Sequence, residues 1–271
     1  MFVTTNTAYW DERRKTIFSS IGKWTGGEGV DIRGYSLFDD LFNQVSYMQV
    51  IVLNATGKMI SDELGKWFES NFMSMSYPDA RIWCNQVGAL AGSMHTTPTA
   101  ATASGSMAAD SRVYGGSQTA QSAMEYLQSA IARSKRGETV ADIIQSAPVK
   151  QGRPAIIGFA RPIVRDDERI TPHRQMSATL GFAVGEHMQL ANAISAHLEK
   201  HFQMGINIGG YTSAFLLDQA FTPVEVYRIK NLCVASGVTA CYTEHYQQPE
   251  QSLLPQRCDD VDYEGSSFRA L

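Results

Sequence analysis

Apolar residues in this chain recur at helical spacing almost from end to end, and that periodicity points to a helical fold. Leu37, Leu41, Val45 and Met48 share one face, as do Ile60, Leu64, Trp67 and Phe68. Polar start signals precede several of these stripes. Ser61 stands before Asp62 and Glu63, an N-cap followed by acids that suit the positive end of the helix dipole. Thr139 is followed three residues later by Asp142, as in a capping box. Thr222-Pro223-Val224-Glu225 is the strongest start: a cap, a proline where the missing N–H costs nothing, and a Glu that reaches back. Val226, Ile229 and Cys233 continue that helix along one face. Leu180, Val184, His187, Ala191, Ile194 and Leu198 predict one long helix over 175–202. Only 48–53 and 155–163 read as strands, and they do not repeat as βαβ units would. The expectation is an all-α fold.

Composition narrows the function. The 271 residues are 44% apolar, enough for a large core. A net charge of −4 provides no cationic stripe to neutralise phosphates, which argues against nucleic acid as a partner. No apolar run approaches the roughly 20 residues that span a bilayer, and no basic or lipidated tail points to a membrane. The start lacks the basic-then-apolar order of a secretory signal, so a cytoplasmic protein is expected. Cys84, Cys233, Cys241 and Cys258 have no C-x-x-C spacing, and buried free thiols fit better than disulfides. His197 and His201 are four apart, but no third ligand is near in sequence, so no metal site is expected. The glycine-rich pieces have neither nucleotide-loop order nor a G-x-S-x-G elbow.

Three segments carry the functional argument: Arg112-Val113-Tyr114-Gly115-Gly116, Ile157-Gly158-Phe159-Ala160-Arg161-Pro162-Ile163-Val164-Arg165, and Gly205-Ile206-Asn207-Ile208-Gly209-Gly210. In order and spacing they resemble the P-L-H-G-G, G-F/Y-G-H-P-V-Y-R and N-V-D motifs of the citrate synthase family. Ile32-Arg33-Gly34-Tyr35-Ser36-Leu37 resembles the family's R-G-Y-P-I turn into a helix. Gly237-Val238-Thr239-Ala240-Cys241 resembles G-W-I-A-H, and Tyr263-Glu264-Gly265-Ser266-Ser267-Phe268-Arg269 resembles the terminal Y-x-G-P-x-x-R. The length is closer to the short citryl-CoA lyase modules than to full citrate synthases. In all three core motifs the catalytic residue differs. Tyr114 and Arg161 stand at the two His positions and Gly209 at the Asp position. The lyase modules also carry an aromatic residue at the first of these, but they keep the second His and the Asp.

The resemblance implies a CoA-dependent carbon–carbon bond fold without its usual acid–base set. Tyr114, Arg161 and Asn207 would line the site, with His173 as a replacement base. Arg165 would face coenzyme A beside Gly158, Phe159 and Ala160. Arg169, one residue short of the family position, would hold a substrate carboxylate. Gly115, Gly116 and Gly209 would line the substrate, and Arg269 would reach into a partner subunit's site. No tightly bound cofactor is implied; a coenzyme A thioester is the candidate substrate.

Each residue also has a plainer reading. A phenol works as a base only beside a cation, so Tyr114 is either a working group next to Arg161 or a packed core residue. Arg161 can stabilise an oxyanion or grip a carboxylate, but it stays protonated and cannot shuttle protons. Its plain reading is a salt bridge to Asp166, Asp167 or Glu168. Gly209 is either a backbone position needing positive φ or a position emptied to admit a bulkier ligand. His187 reads as a satisfied interior residue.

The expected architecture is a large helical domain from 1–118 and 221–271 and a small one from 119–220. Three functional readings follow. The first is a divergent enzyme that makes or cleaves a C–C or acyl bond in a CoA-linked or related anionic substrate. Cleavage suits it better than condensation, because cleavage starts from a hydroxyl proton rather than a carbon-bound one. The second is a non-catalytic ligand-binding or regulatory subunit, and the third is a new reaction on an unrelated metabolite. A homodimer or higher oligomer is expected from the Arg269 motif and from the Ala- and Met-rich segment 89–109, which has few polar residues for a solvated helix.

Overall fold

The computed structural model describes residues 7–110, 117–161 and 167–270. Twelve helices, α1 to α12, dominate these residues, with five strands of two or three residues each. The all-α expectation holds. By backbone contacts the chain forms two units, residues up to Glu69 and residues from Ser70 onward, divided inside one helix.

The first unit begins with α1 (Ala8–Asp11) and an antiparallel meander of β1 (Gly22–Trp24), β2 (Val30–Ile32) and β3 (Tyr35–Ser36). A π-helical turn over Leu37–Leu41 follows, capped by Ser36, whose Oγ accepts from the Asp39 amide. The backbone then leaves the helix at Phe42 and Asn43, the latter at φ 60°. The predicted stripe from Leu37 to Met48 is therefore split, and Met48 belongs to α2 (Tyr47–Thr56). The strand expected over 48–53 is helical. Its β-branched run is overruled by a complete Ser46–Gln49 capping box, and Met48, Val52 and Leu53 are buried at helical spacing. Gln49 Nε2 donates to the Ile60 carbonyl at 2.9 Å, which fixes α2 against the start of α3 (Asp62–Met75). Ser61 caps α3 through a bond from the Leu64 amide, as its sequence predicts.

In the second unit, α4 (Trp83–Ser93) and α5 (Pro98–Ala109) both pack on α12 (Ala235–Tyr246). Small residues set how closely they approach. A Cβ on Gly92 would lie 2.3 Å from the Tyr242 carbonyl oxygen, and one on Gly105 would lie 2.6 Å from a Val238 methyl. The small residues of 89–109 thus serve packing inside this unit, where Ala89, Ala101 and Ala109 are buried. Leu90, Met94 and Met107 of the same segment stay exposed.

The other layer holds α6 (Ser117–Ser134), α7 (Val140–Gln145), α8 (Ile170–Thr179), α9 (Glu186–Phe202), α10 (Ile208–Asp218) and α11 (Pro223–Lys230). The Thr139 and Thr222 capping boxes form at α7 and α11 as predicted. Every residue from Gly210 to Leu217 is buried, so α10 is the central helix, enclosed on all sides. The single helix expected over 175–202 is interrupted. α8 stops before Gly181 at φ 81°, and α9 restarts under Asp218, which accepts from the His187 and Met188 amides at 2.9 and 3.1 Å. This cap comes from a residue far along the chain, which local pattern does not reveal. The second expected strand, 155–163, is irregular over its described part. It follows the hairpin of β4 (Val149–Lys150) and β5 (Arg153–Pro154).

Cys84, Cys233 and Cys241 are buried free thiols and Cys258 is exposed. After α12 the chain pins itself by the Gln251 amide to the Ser93 carbonyl at 2.7 Å, and then runs exposed to Ala270.

Two substitutions test this packing. Gly92→Val should lower stability by about 3 kcal/mol or more, because backbone rather than a flexible side chain blocks the new atoms. Thr222→Ala should cost about 1 kcal/mol. Urea denaturation followed by circular dichroism measures both, and a neutral Gly92→Val would contradict the α4–α12 contact.

Candidate functional site

The site is built around the N-terminus of α10. Asn207 caps this helix, its Oδ1 accepting from the Gly210 amide at 3.1 Å. Its Nδ2 donates to the Ala160 carbonyl at 2.7 Å, and its amide donates to the Gly158 carbonyl at 2.9 Å. Gly158 sits at φ 92°, and a Cβ on Gly210 would lie 2.3 Å from the Gly158 oxygen. Two glycines therefore let two backbones touch where the second and third motifs meet. Phe159 is fully buried beside them, while Ala160 is exposed. Gly209 lies in helical backbone without positive φ, so that explanation of it is withdrawn. Among the described residues, a Cβ there would meet only Asn207 Oδ1, at 3.1 Å.

Asp167 holds this region together. Its side chain is fully buried and accepts from Arg169 Nε at 2.8 Å and Nη2 at 2.9 Å, a bidentate pair. Its Oδ2 also accepts from the Ile208 amide at 2.8 Å, at the positive end of α10. Burial opposes the charge on Asp167. The Arg169 hydrogen bonds, the Ile208 amide and the Arg169 charge outweigh it and hold the carboxyl below its ordinary range. Arg161 bonds to Glu168 and lies 3.8 Å from Asp167, so its plain salt-bridge reading is what the structure contains.

His173 projects from α8 into the core, 4% exposed. Its Nδ1 lies 2.8 Å from the Arg169 carbonyl, which can only accept, so Nδ1 carries the proton. The Nε2 lone pair then accepts from Asn71 Nδ2 at 3.2 Å. The same Asn71 nitrogen donates to Thr212 Oγ1 at 3.1 Å. These bonds turn Asn71 Oδ1 away, and among the described residues it is buried without a hydrogen-bond partner. Burial, followed by the Arg169 and Lys230 charges, lowers the affinity of His173 for a second proton. Ser177 and Tyr211 add a buried hydroxyl pair at 3.0 Å.

Of the sequence candidates, Gly158, Phe159, Ala160, Arg161, Arg169, Asn207 and Gly209 therefore fall around one helix end, and His173 lies behind Arg169. Tyr114, Gly115, Gly116 and Arg165 lie outside the described residues. Arg269 is exposed and bonds only Ser266, at 3.1 Å, among the described residues. His187 pairs with Asp218 at 2.9 Å as part of the α9 cap, and the His197 and His201 rings stack at 4.4 Å. No three described His, Cys, Asp or Glu side chains are grouped to hold a metal. Sequence reasoning missed Asn71 and Thr212, and treated Asp167 only as a counterion.

No family model and no curated protein sequence matches the chain. Solved structures do. Citryl-CoA lyase from Hydrogenobacter thermophilus superposes with a TM-score of 0.79 at 21% identity, over 94% of this chain and 97% of that one. An ATP citrate lyase mutant from Methanosaeta concilii, in complex with (3S)-citryl-CoA, matches with a TM-score of 0.72 at 16% identity. That match covers 98% of this chain but 45% of that one. Citrate synthase from Thermoplasma acidophilum, in a ternary complex with carboxymethyl coenzyme A and oxaloacetate, gives 0.59 at 12% identity, over 83% and 58%. The fold is thus that shared by citrate synthases and citryl-CoA lyases. Among these three structures, the citryl-CoA lyase is the one whose length this chain spans almost completely.

Acid should weaken this site in two stages. His173 stays neutral when folded, so its contribution is complete above the unfolded value of about 6.5 and declines as pH falls below it. Asp167 has a depressed folded value, so its contribution persists above about 3.9 and is lost on passing through the folded value. Urea midpoints should therefore drop between pH 7 and 5, and His173→Gln should flatten that drop. Asp167→Asn should cost about 3 kcal/mol at pH 7, because Arg169 loses its buried partner.

Proposed function

We propose that the protein makes or cleaves a C–C or acyl bond of a CoA-linked, or related anionic, acyl substrate, and that it lacks ordinary citrate synthase activity. The observation that carries this reading is the near-complete mutual coverage with a citryl-CoA lyase, combined with Tyr114, Arg161 and Gly209 at the three motif positions. With Gly209 at the acid position, the usual base for an acyl α-proton is missing. General acid–base steps contribute about 10²–10⁴-fold each, so condensation of acetyl-CoA with oxaloacetate should be lost. Cleavage of a β-hydroxyacyl thioester remains open, because it begins at a hydroxyl. In this reading Arg161 exchanges Glu168 for a substrate carboxylate or oxyanion, and Arg169 sets the anionic end. Arg165 and Arg269 serve coenzyme A and a neighbouring subunit. The thioester is a substrate, with no resident cofactor.

A second reading, a ligand-binding or regulatory subunit without turnover, is favoured by one observation. Arg161 and Arg169 are already paired with Glu168 and Asp167, and the His173 lone pair is engaged. Self-association is part of both readings. Exposed Trp10, Phe18, Trp24, Phe38 and Phe42 in the first unit support it. A cytoplasmic location fits both, and no described helix is long and apolar enough to cross a membrane.

The test is direct. Citryl-CoA and other β-hydroxyacyl-CoA esters should raise the melting temperature, and at least one should be cleaved. Arg161→Ala should abolish turnover without unfolding the protein. Binding without cleavage would select the second reading, and robust citrate formation would overturn the first. Light scattering at micromolar concentration should give a dimer or larger.

A further inference from the structure

β1 is the edge strand of the meander in the first unit, paired on one side only. Its register sets Gly22 opposite Ile32, Lys23 opposite Asp31 and Trp24 opposite Val30. The Arg33 amide donates to the Ile21 carbonyl at 2.7 Å, and the Thr25 amide donates to the Gly29 carbonyl at 3.0 Å. Hydrogen-bonded pairs alternate along an antiparallel ladder. Lys23 therefore turns its backbone groups toward β2, while Gly22 and Trp24 turn theirs outward. Among the described residues those outward groups have no hydrogen-bond partner. The side chains alternate as well, with Lys23 on one face and Trp24 on the other, 70% exposed. An unpaired edge of this kind is a template for a further strand.

The tail carries a segment that matches it. Val261-Asp262-Tyr263-Glu264 alternates apolar with acidic side chains, as a strand with two unlike faces would. Its backbone is extended at Val261, with φ −101° and ψ 107°, and has no hydrogen-bond partner among the described residues. Val261 and Tyr263 are 68% and 75% exposed. Charge agrees with shape. Residues 13–24 hold four basic and no acidic side chains, and residues 259–264 hold four acidic and no basic ones. Both elements are exposed in the single chain, which leaves them for a second copy.

We propose that residues 261–264 of one copy add to the β1 edge of another as an antiparallel strand, with Asp262 opposite Lys23. This register puts Val261 opposite Trp24 and Tyr263 opposite Gly22, so the outward groups of β1 gain their missing hydrogen bonds. Tyr263 then covers a glycine and becomes the diagonal neighbour of Trp24 on the same face. On the other face Lys23 lies between Asp262 and Asp31. Each copy carries one edge and one segment, so a two-fold dimer makes the contact twice. The inference rests on the self-association reading given above and on no step of catalysis.

Carbodiimide coupling of the full chain at micromolar concentration tests the contact, with the products separated on a denaturing gel and read by peptide mass spectrometry. The covalent dimer band should contain Lys23 joined to Asp262 or Glu264. The same link confined to the monomer band, or a dimer without it, would overturn the docking while self-association stands. A chain that light scattering finds monomeric would overturn both. Lys23→Glu and Asp262→Lys, at exposed positions, should each raise the dimer dissociation constant by about tenfold, because each reverses two cross-strand pairs per dimer. The chain carrying both substitutions should regain most of the lost affinity, which damage to folding would not allow. Unchanged affinity in the single variants, or no recovery in the double one, would refute the pairing.

Discussion

The candidate site depends on one carboxylate. Asp167 joins a guanidinium and a helix end through hydrogen bonds of 2.8–2.9 Å. Its charge is tolerable in the interior because every strong acceptor direction is used. The Arg169 fork satisfies both oxygens, and the Ile208 amide adds the favourable end of the α10 dipole. Without it, Arg169 would have no buried anion and α10 would lose a bond at its N-terminus.

The glycine contact at Gly158 and Gly210 places this carboxylate. Because those backbones meet without side chains between them, the Asn207 cap can also bind the Ala160 and Gly158 strand of the loop. A cap, a positive-φ turn and an ion pair thus converge on one helix end. Behind it, the proton on His173 Nδ1 orients Asn71, and Asn71 reaches Thr212 of α10. Arg169 takes part in both networks, through its guanidinium to Asp167 and its carbonyl to His173.

That arrangement bears on function through charge. The arginines near the helix end are paired within the protein, so an anionic ligand would compete with Glu168 at Arg161 more readily than with buried Asp167 at Arg169. Glu168 is largely exposed and Asp167 is not, and an exposed ion pair is the weaker of the two. Under the proposed function, Arg161 would be the adaptable contact and Arg169 the fixed one.

The chain's own pattern determined the helical class and the Ser61, Thr139 and Thr222 starts. Those features are local: a cap acts within three residues, and an apolar stripe needs only its own period. Tertiary structure alone decided that Asp218 restarts a helix at Glu186, and that Asp167 serves the helix end as well as an arginine. Each of these depends on a partner distant in sequence, and the free energy that decides it comes from burial and from satisfying buried polar groups, which no local pattern records.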